Sequence, residues 1–476
     1  MNKKLFFFLI LPFLATSQVQ IGQDIDGEAA GDWSGHRVSL SEDGSILAIG
    51  ASAHNGGTGR VRIYENLSGV WTQIGDDIDG EKLGAWFGYS VSLSSDGSVI
   101  AAVTPGQNYQ NAHVRVYENI SGVWTQIGND IDSQAVGSLS GGTSNTSVSL
   151  SSDGSVIAVG TPYINNRVRV YENLSGVWTQ IGNDIDGEAA GDRSGWSVSL
   201  SADGSIVAIG AIENNNATGH VRVYENLSGV WTQIGSDIDG EAAGDRSGYN
   251  VSLSSDGTVV AISSQENSGN GSYSGHVRIY KNLSGNWTQI GDDIDGENAG
   301  DRSGFSVSLS SDGTIIAIGA LLNSGNGIND ESGHVRIFQN ISGVWTQIGT
   351  YINGEAPGDW FGYSVSLSSD GKTVAIGAPL NGGNGHVRVY DISGILSTNN
   401  FVSESFDVFP NPVSDVLNIR MKNNWSLEKV TIYNNLGQIV KTAQQNTVDV
   451  SALSKGIYFV EVTTNQGKAV KKVIVR

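Results

Sequence analysis

An Ile-Gly pair returns at Ile21, Ile74, Ile127, Ile181, Ile234, Ile290 and Ile348, with spacings of 53, 53, 54, 53, 56 and 58 residues. A period of this size restricts the fold to stacked or circular arrays of one small unit, that is, solenoids or propellers. Each unit holds four strand-like runs. In the fourth unit Ser197–Leu200 alternates polar and apolar, and Ile206–Ala211 is almost wholly apolar. His220–Tyr224 and Val230–Ile234 then alternate again. Asp-Gly, Asn-Leu-Ser-Gly and Gly-rich stretches separate the runs, as expected of short antiparallel strands. Four such strands per repeat make a propeller blade.

The ends of the array decide between ring and rod. The fourth run carries a Trp at 71, 124, 178, 231, 287 and 345, which is six copies for seven units. The seventh unit stops at Val387-Arg388-Val389-Tyr390, and the run it lacks stands at the other end as Gln18-Val19-Gln20-Ile21. A solenoid would carry capping repeats instead. An N-terminal strand that completes the last blade removes a bare sheet edge. The expectation is an all-β chain: a seven-bladed β-propeller over 18–390, a Ser/Asn/Gly linker over 391–405, and a small Ig-like β-sandwich over 406–476.

Residues 406–476 contain nine Lys/Arg against five Asp/Glu, and the first seventeen residues contain two Lys. With a whole-chain charge of −21, residues 18–405 hold −27. So acidic a body excludes binding to nucleic-acid phosphates, which requires clustered Lys and Arg. It suits divalent cations or simple solubility. There is no Cys, so no disulfide supports the fold. Lys3 and Lys4, the apolar run Leu5–Leu14 and Ala15-Thr16-Ser17 read as a secretory signal peptide over 1–17, too short for a membrane anchor.

The tail holds Phe409-Pro410-Asn411-Pro412, Val430-Thr431-Ile432-Tyr433-Asn434, Val448-Asp449-Val450, Gly456-Ile457-Tyr458-Phe459-Val460 and a terminal Lys471-Lys472-Val473-Ile474-Val475-Arg476. This resembles the type A C-terminal sorting domain of the bacterial type IX secretion system. The resemblance implies a Bacteroidetes-type bacterium, the type IX machinery as partner, and a secreted or outer-surface location.

The repeats resemble FG-GAP repeats, the family of the integrin α-subunit propeller. The resemblance rests on Asp359-Trp360-Phe361-Gly362-Tyr363-Ser364 followed by Ala375-Ile376-Gly377-Ala378-Pro379, with Trp86-Phe87-Gly88 as a partial copy. Phe-Gly becomes Ser-Gly at Ser34, Ser194, Ser247 and Ser303. That family's cation loop lies between strands one and two. Here the position holds only a Ser-Asp-Gly turn, so the site does not carry over.

The remaining candidate is the acidic segment expected to connect strand four to the next blade. Its full form is Asp24, Asp26, Glu28, Asp32; then Asp184, Asp186, Glu188, Asp192; Asp237, Asp239, Glu241, Asp245; and Asp293, Asp295, Glu297, Asp301. Calcium takes six to eight oxygens, and such a turn offers several. The alternative is turn chemistry, in which the same Asp residues accept backbone N–H bonds. Ala85 in the second unit, Ser133, Gln134 and Ser138 in the third, and Tyr351 and Asn353 in the seventh break the set. His113, His220, His276, His334 and His386 recur at one position, which favours packing over catalysis, and the neighbouring Arg222 is expected to meet an Asp between blades. Asn66, Asn119, Asn173, Asn226, Asn282 and Asn340 head Asn-x-Ser sequences that read as turns.

The variable loops between strands two and three (Ser52–Gly59, Pro105–Ala112, Gln265–Gly275, Leu321–Gly333) share the face of the acidic segments and mark it as the contact face. The reading is a binding or adhesion module for an extracellular glycan or protein. Its rivals are a propeller lyase or glycosidase and a surface protein without a ligand. No nucleotide loop, zinc motif or nucleophile elbow is present.

Overall fold

The computed structural model describes residues 18–476 except 106–111, 133–145, 164–165, 325–329, 397–405, 422–425, 435–437 and 465–466. The expected leader, most of the expected linker, parts of two variable loops, and Ser133, Gln134 and Ser138 lie outside the described residues. The chain divides into two compact units, the first ending at Ile395 and the second beginning at Leu396.

The first unit consists of seven antiparallel sheets. In the fourth blade Ser194–Leu200, Ile206–Ala211, His220–Leu227 and Val230–Gln233 pair in that order. One feature differs from expectation. After Gln233 the chain turns at Gly235 (φ +73°) and re-enters the same sheet, with Ile238–Asp239 opposite His220–Val221. The first half of each acidic segment is therefore a sheet edge rather than a loop. Ile238 drives the return: it is buried between blades while the Asp on either side stays at the surface. In the sixth blade the two pieces merge into one strand, Val344–Asn353.

The core lies between blades. Second strands such as Val156–Thr161 are buried on both faces. Val156 and Ala158 of the third blade pack against Val198, Leu200, Val207 and Ile209 of the fourth. The same layer at the closing junction joins Ala375, Val387 and Val389 to Val38, Leu40, Leu47 and Ile49.

Two closed circuits of hydrogen bonds and one open series at the rim join the blades. At the Ser-Asp-Gly face, backbone N–H groups donate turn to turn: Glu42 to Ser95, Ser95 to Ser152, Ser152 to Ala202, Ala202 to Ser255, Ser255 to Ser311, Ser311 to Ser369, and Ser369 back to Glu42, at 2.7–3.0 Å. Deeper in the channel, the unpaired edge of each first strand donates to a serine hydroxyl of the preceding blade. Leu93 N–H reaches Ser39, Leu200 reaches Ser149 and Leu40 reaches Ser366, each at 3.0 Å. At the rim Trp71, Trp124, Trp178, Trp231, Trp287 and Trp345 donate their indole N–H to the Ile carbonyl of the preceding outer strand at 2.9–3.0 Å.

The N-terminal segment closes the seventh blade. Val19 and Gln20 pair with Asp391 and Tyr390, and Ile25–Asp26 pairs with Val387 and His386. The blade runs past Tyr390: Ile392 and Ile395 are buried against it. Adjacent blades also touch through paired glycines, where a Cβ on Gly377 would lie 2.0 Å from the Gly35 carbonyl oxygen.

The second unit is a sandwich of a three-stranded sheet (Phe406–Phe409, Val416–Met421, Thr447–Asp449) and a four-stranded one (Leu427–Tyr433, Ile439–Ala443, Gly456–Thr464, Gly467–Val475). Phe406, Leu417, Ile419, Val430, Ile432, Val460, Val462 and Val473 fill it.

Two changes at the closing junction test this architecture by thermal melting. Gly377→Ala forces two blades apart at a backbone contact and is expected to cost about 1–3 kcal/mol, as overpacking does. Deleting Gln18–Gly22 bares the edge at Val389–Asp391 and should lower the melting temperature and promote aggregation. An unchanged melt in both variants would mean the ring does not depend on this seam.

Candidate functional site

The acidic segment divides its carboxylates among separate tasks. The first Asp accepts from the outer-strand Gln of its own blade: Gln20 to Asp24, Gln73 to Asp77, Gln233 to Asp237 and Gln289 to Asp293, at 2.6–2.8 Å. Its second oxygen faces a fully buried histidine: Asp24 to His386 at 3.4 Å, Asp237 to His220 at 3.6 Å, and Asp293 to His276 at 3.5 Å. In the first and third blades Arg takes the histidine position and forms ion pairs, Arg60 with Asp77 and Asp79, and Arg167 with Asp184 and Asp186. That exchange shows what the position requires, a cation or N–H donor for the acid. The Arg169 hydrogen bond outweighs burial and holds the Asp184 carboxyl down at about 2.

The second Asp is exposed, and its backbone carbonyl accepts from the strand-three Arg of the next blade. Arg62 reaches Asp26, Arg222 reaches Asp186, Arg278 reaches Asp239 and Arg336 reaches Asp295, at 2.6–2.8 Å. The expected Arg–Asp contact between blades is therefore made through main chain. The Glu faces the same next blade: Glu28 meets Arg60 and Arg62, Glu241 meets Arg278 and His276, and Tyr351 donates to Glu297 at 2.6 Å. The last Asp is buried and caps its own turn. Asp32, Asp192, Asp245 and Asp301 each accept the N–H three residues back at 2.7–3.0 Å. A side chain of the variable loop joins them, His54 on Asp32, Asn267 on Asp245 and Asn323 on Asp301.

The motif thus acts as a clamp across two blades. Among the described residues, ligand-sized groupings draw on different motifs and add a histidine: Asp24 with Glu355 and His386, Glu188 with His220 and Asp237, and Glu241 with His276 and Asp293. In each, the donor atoms lie within 4.8 Å of one another. The Asn-x-Ser residues serve their turns, with Asn66 and Asn226 accepting the Gly N–H three residues on at 2.7 Å.

A second feature of this face was not singled out from the sequence. The residue after the last position of the acidic segment is not Gly, yet it has positive φ in six blades: Trp33, Trp86, Arg193, Arg246, Arg302 and Trp360, at +52° to +59°. The third blade's counterpart lies outside the described residues. An L residue pays roughly 1–2 kcal/mol in this region, and strained backbone held by its surroundings concentrates at functional sites. Three residues further on, His36, Tyr89, Trp196, Tyr249, Phe305 and Tyr363 form a collar around the channel. Ring centroids are 5.6 Å apart for Trp196 and Tyr249, 5.5 Å for Tyr249 and Phe305, 4.8 Å for Phe305 and Tyr363, and 5.0 Å for Tyr363 and His36. Beneath the collar is a cavity of about 230 Å³ that also involves Arg37, Asn250 and Ser306. The sequence signal for this mouth is that Trp or Arg follows the last position of the acidic segment, at 33, 86, 193, 246, 302 and 360.

The histidines set an acid limit. Burial, then Arg336, pushes His334 down to about 3, and burial likewise lowers His36, His220, His276 and His386. These groups stay neutral in the folded chain, whereas unfolded His takes a proton near pH ~6.5. Their contribution is complete above that value and is lost as pH falls towards the folded pKa. Melting temperature should therefore drop between about pH 7 and about pH 4.5, above the carboxylate range. His334→Gln should flatten part of that slope; an equally steep profile in the variant would remove His334 from the account.

Comparison with known proteins agrees with the fold. Residues 353–390 match the model of the FG-GAP repeat, and residues 407–476 match the secretion system C-terminal sorting domain. The β-propeller domain of Myceliophteria thermophila Cps50 (Swd1) superimposes with a TM-score of 0.51 at 13% identity, covering 78% of this chain and 99% of that one. A putative 6-phosphogluconolactonase from Bacteroides uniformis gives 0.50 at 14% identity, covering 70% and 89%. Beta-agarase D of Zobellia galactanivorans is 37% identical over 75 residues, and the chain spans only 15% of that relative's length. Among the described residues no helix is long and apolar enough to cross a membrane. The chain is a β-propeller with an FG-GAP repeat at residues 353–390, and it carries a type IX secretion sorting domain, the mark of a protein secreted or attached to the outer cell surface.

Proposed function

We propose that the propeller is an extracellular binding or adhesion module whose glycan or protein ligand meets the face of the variable loops and acidic segments. The observation that carries this reading is the set of Trp and Arg residues that six blades present around the channel mouth. The enzymatic alternative is less well supported, because a glycosidase needs a carboxylate pair and the cavity at the mouth is lined by Ser, Thr, Asn, Val, aromatic residues and Arg37. A glycan array, with a panel of extracellular proteins beside it, tests the reading. Replacing only the loop tip Ser268–Tyr273 by Gly-Asn-Gly, which leaves Asn267 on Asp245, should weaken the ligand found and spare the melting temperature. Binding that survives such replacements in every blade would move the contact face elsewhere.

The sorting domain supports a division of labour in which the tail serves export alone. Deleting 406–476 should leave a folded propeller in the periplasm, read by cell fractionation. Normal surface display of the truncated chain would end that proposal.

A second reading, a divalent cation such as calcium at the blade junctions, is supported by the three His–carboxylate groupings. Calorimetry should then detect Ca²⁺ binding at about millimolar ion, as at weak extracellular sites. Glu188→Gln with Asp237→Asn should reduce it, and chelator should lower the melting temperature by linkage. A chelator-insensitive melt without a heat of binding leaves these carboxylates as clamps.

A further inference from the structure

The channel mouth is divided by residue type. Blades seven, one and two are consecutive in the ring and place Trp360, Trp33 and Trp86 at the positive-φ position, whereas blades four, five and six place Arg193, Arg246 and Arg302 there. Trp33 meets Trp86 edge to face at 5.3 Å and stacks on His36 at 18°, and Trp360 lies parallel to Tyr363 at 9°. With His36 and Tyr363 5.0 Å apart, the aromatic surface is continuous over three blades. On the other side Arg246 pairs with Glu213 at 3.2 Å and Glu266 at 2.9 Å. Arg193 reaches Glu213 at 3.6 Å and donates to the Tyr163 hydroxyl at 2.9 Å. Arg302 lies over the Tyr273 ring.

The two halves ask for one chemistry. Aromatic faces take the C–H face of a sugar ring, and Arg–Glu pairs offer donors and acceptors side by side, as vicinal hydroxyls require. A polyanion fits poorly: the propeller region carries most of the chain's excess of acid, Glu28, Glu188 and Glu241 are exposed on the same face, and the charges of Arg193 and Arg246 are matched by Glu213 and Glu266. The collared cavity, at about 230 Å³, is far too small for a folded partner.

We infer that the channel mouth binds an uncharged glycan chain, with sugar rings stacked on Trp360, Trp33 and Trp86 and hydroxyls held by the Arg193–Glu213–Arg246–Glu266 network. The inference rests on the binding-module reading and adds the ligand's class and place. The test is calorimetric titration of the protein with neutral hexasaccharides of glucose, galactose and mannose, and with sulfated galactan and polygalacturonate, at low and high salt. One neutral oligosaccharide should bind with an affinity that salt leaves unchanged, since no net charge is paired. Trp33→Ala with Trp86→Ala should weaken it by about tenfold or more, and Trp33→Tyr with Trp86→Tyr should retain most of it. Should the alanine pair fail to fold, protection of these tryptophans from N-bromosuccinimide by the bound sugar supports the inference, and absence of protection overturns it. Binding of charged glycans alone, neutral-glycan binding unchanged in the alanine pair, or binding of a protein but no glycan each overturns the inference and leaves the module reading standing. Absence of any glycan or protein ligand sinks both.

Discussion

The turn-to-turn circuit at the Ser-Asp-Gly face is the constraint on which the rest of the molecule depends. Each turn donates one N–H and accepts one, so seven blades leave no orphan and no surplus. A first strand in a propeller is a sheet edge buried at the channel, and a buried unpaired N–H is costly. This chain meets that problem twice, once with the turn circuit and once with the serine hydroxyls that take the Leu N–H groups. The Ser-Val-Ser-Leu repeat is explained by that geometry. Serine faces the channel and reaches the next blade, while Val and Leu fill the layer between blades.

From the same frame follows the use of charge. The two blade-crossing segments that could not be apolar, the third strand's His-Val-Arg and the acidic segment, are arranged so that every partly buried cation meets an acid or a carbonyl. Where His is replaced, at Arg60 and Arg167, the acids respond with direct ion pairs. A propeller with so large an excess of acid holds together because its few cations sit at the seams, where pairing is shielded from solvent more than at an open surface.

Much of this was legible in the sequence, for physical reasons. Periodicity, the count of six Trp for seven units, and the stray strand at Gln18–Ile21 together specify a closed ring. The acidic segment reads as loop because Asp and Gly are turn formers, yet the Ile between its two Asp residues, one period-two step from a strand, is the sign of a sheet edge. The histidines' partners could not be seen, since they come from neighbouring units. The channel mouth was hidden more deeply. Positive φ has no propensity signal in Trp or Arg, and Trp360 and Trp86 were visible only as parts of a family motif.

The seam at Val19 and Gln20 has a consequence for how this chain comes to be folded. Its first strand pairs with one of the propeller's last, Val387–Asp391. The N-terminus leaves the ribosome first, so the closing strand must wait, unpaired, for nearly the whole array to follow. Until then the seventh blade is open, the two buried circuits are incomplete, and the contact order of the final step is about as high as the chain allows. An incomplete ring leaves the apolar layer of the closing junction uncovered on both sides. The order of events is thereby written into the topology: the inner strands of the blades first, the closing strand last, and a rigid mouth only once Val19 and Gln20 have docked.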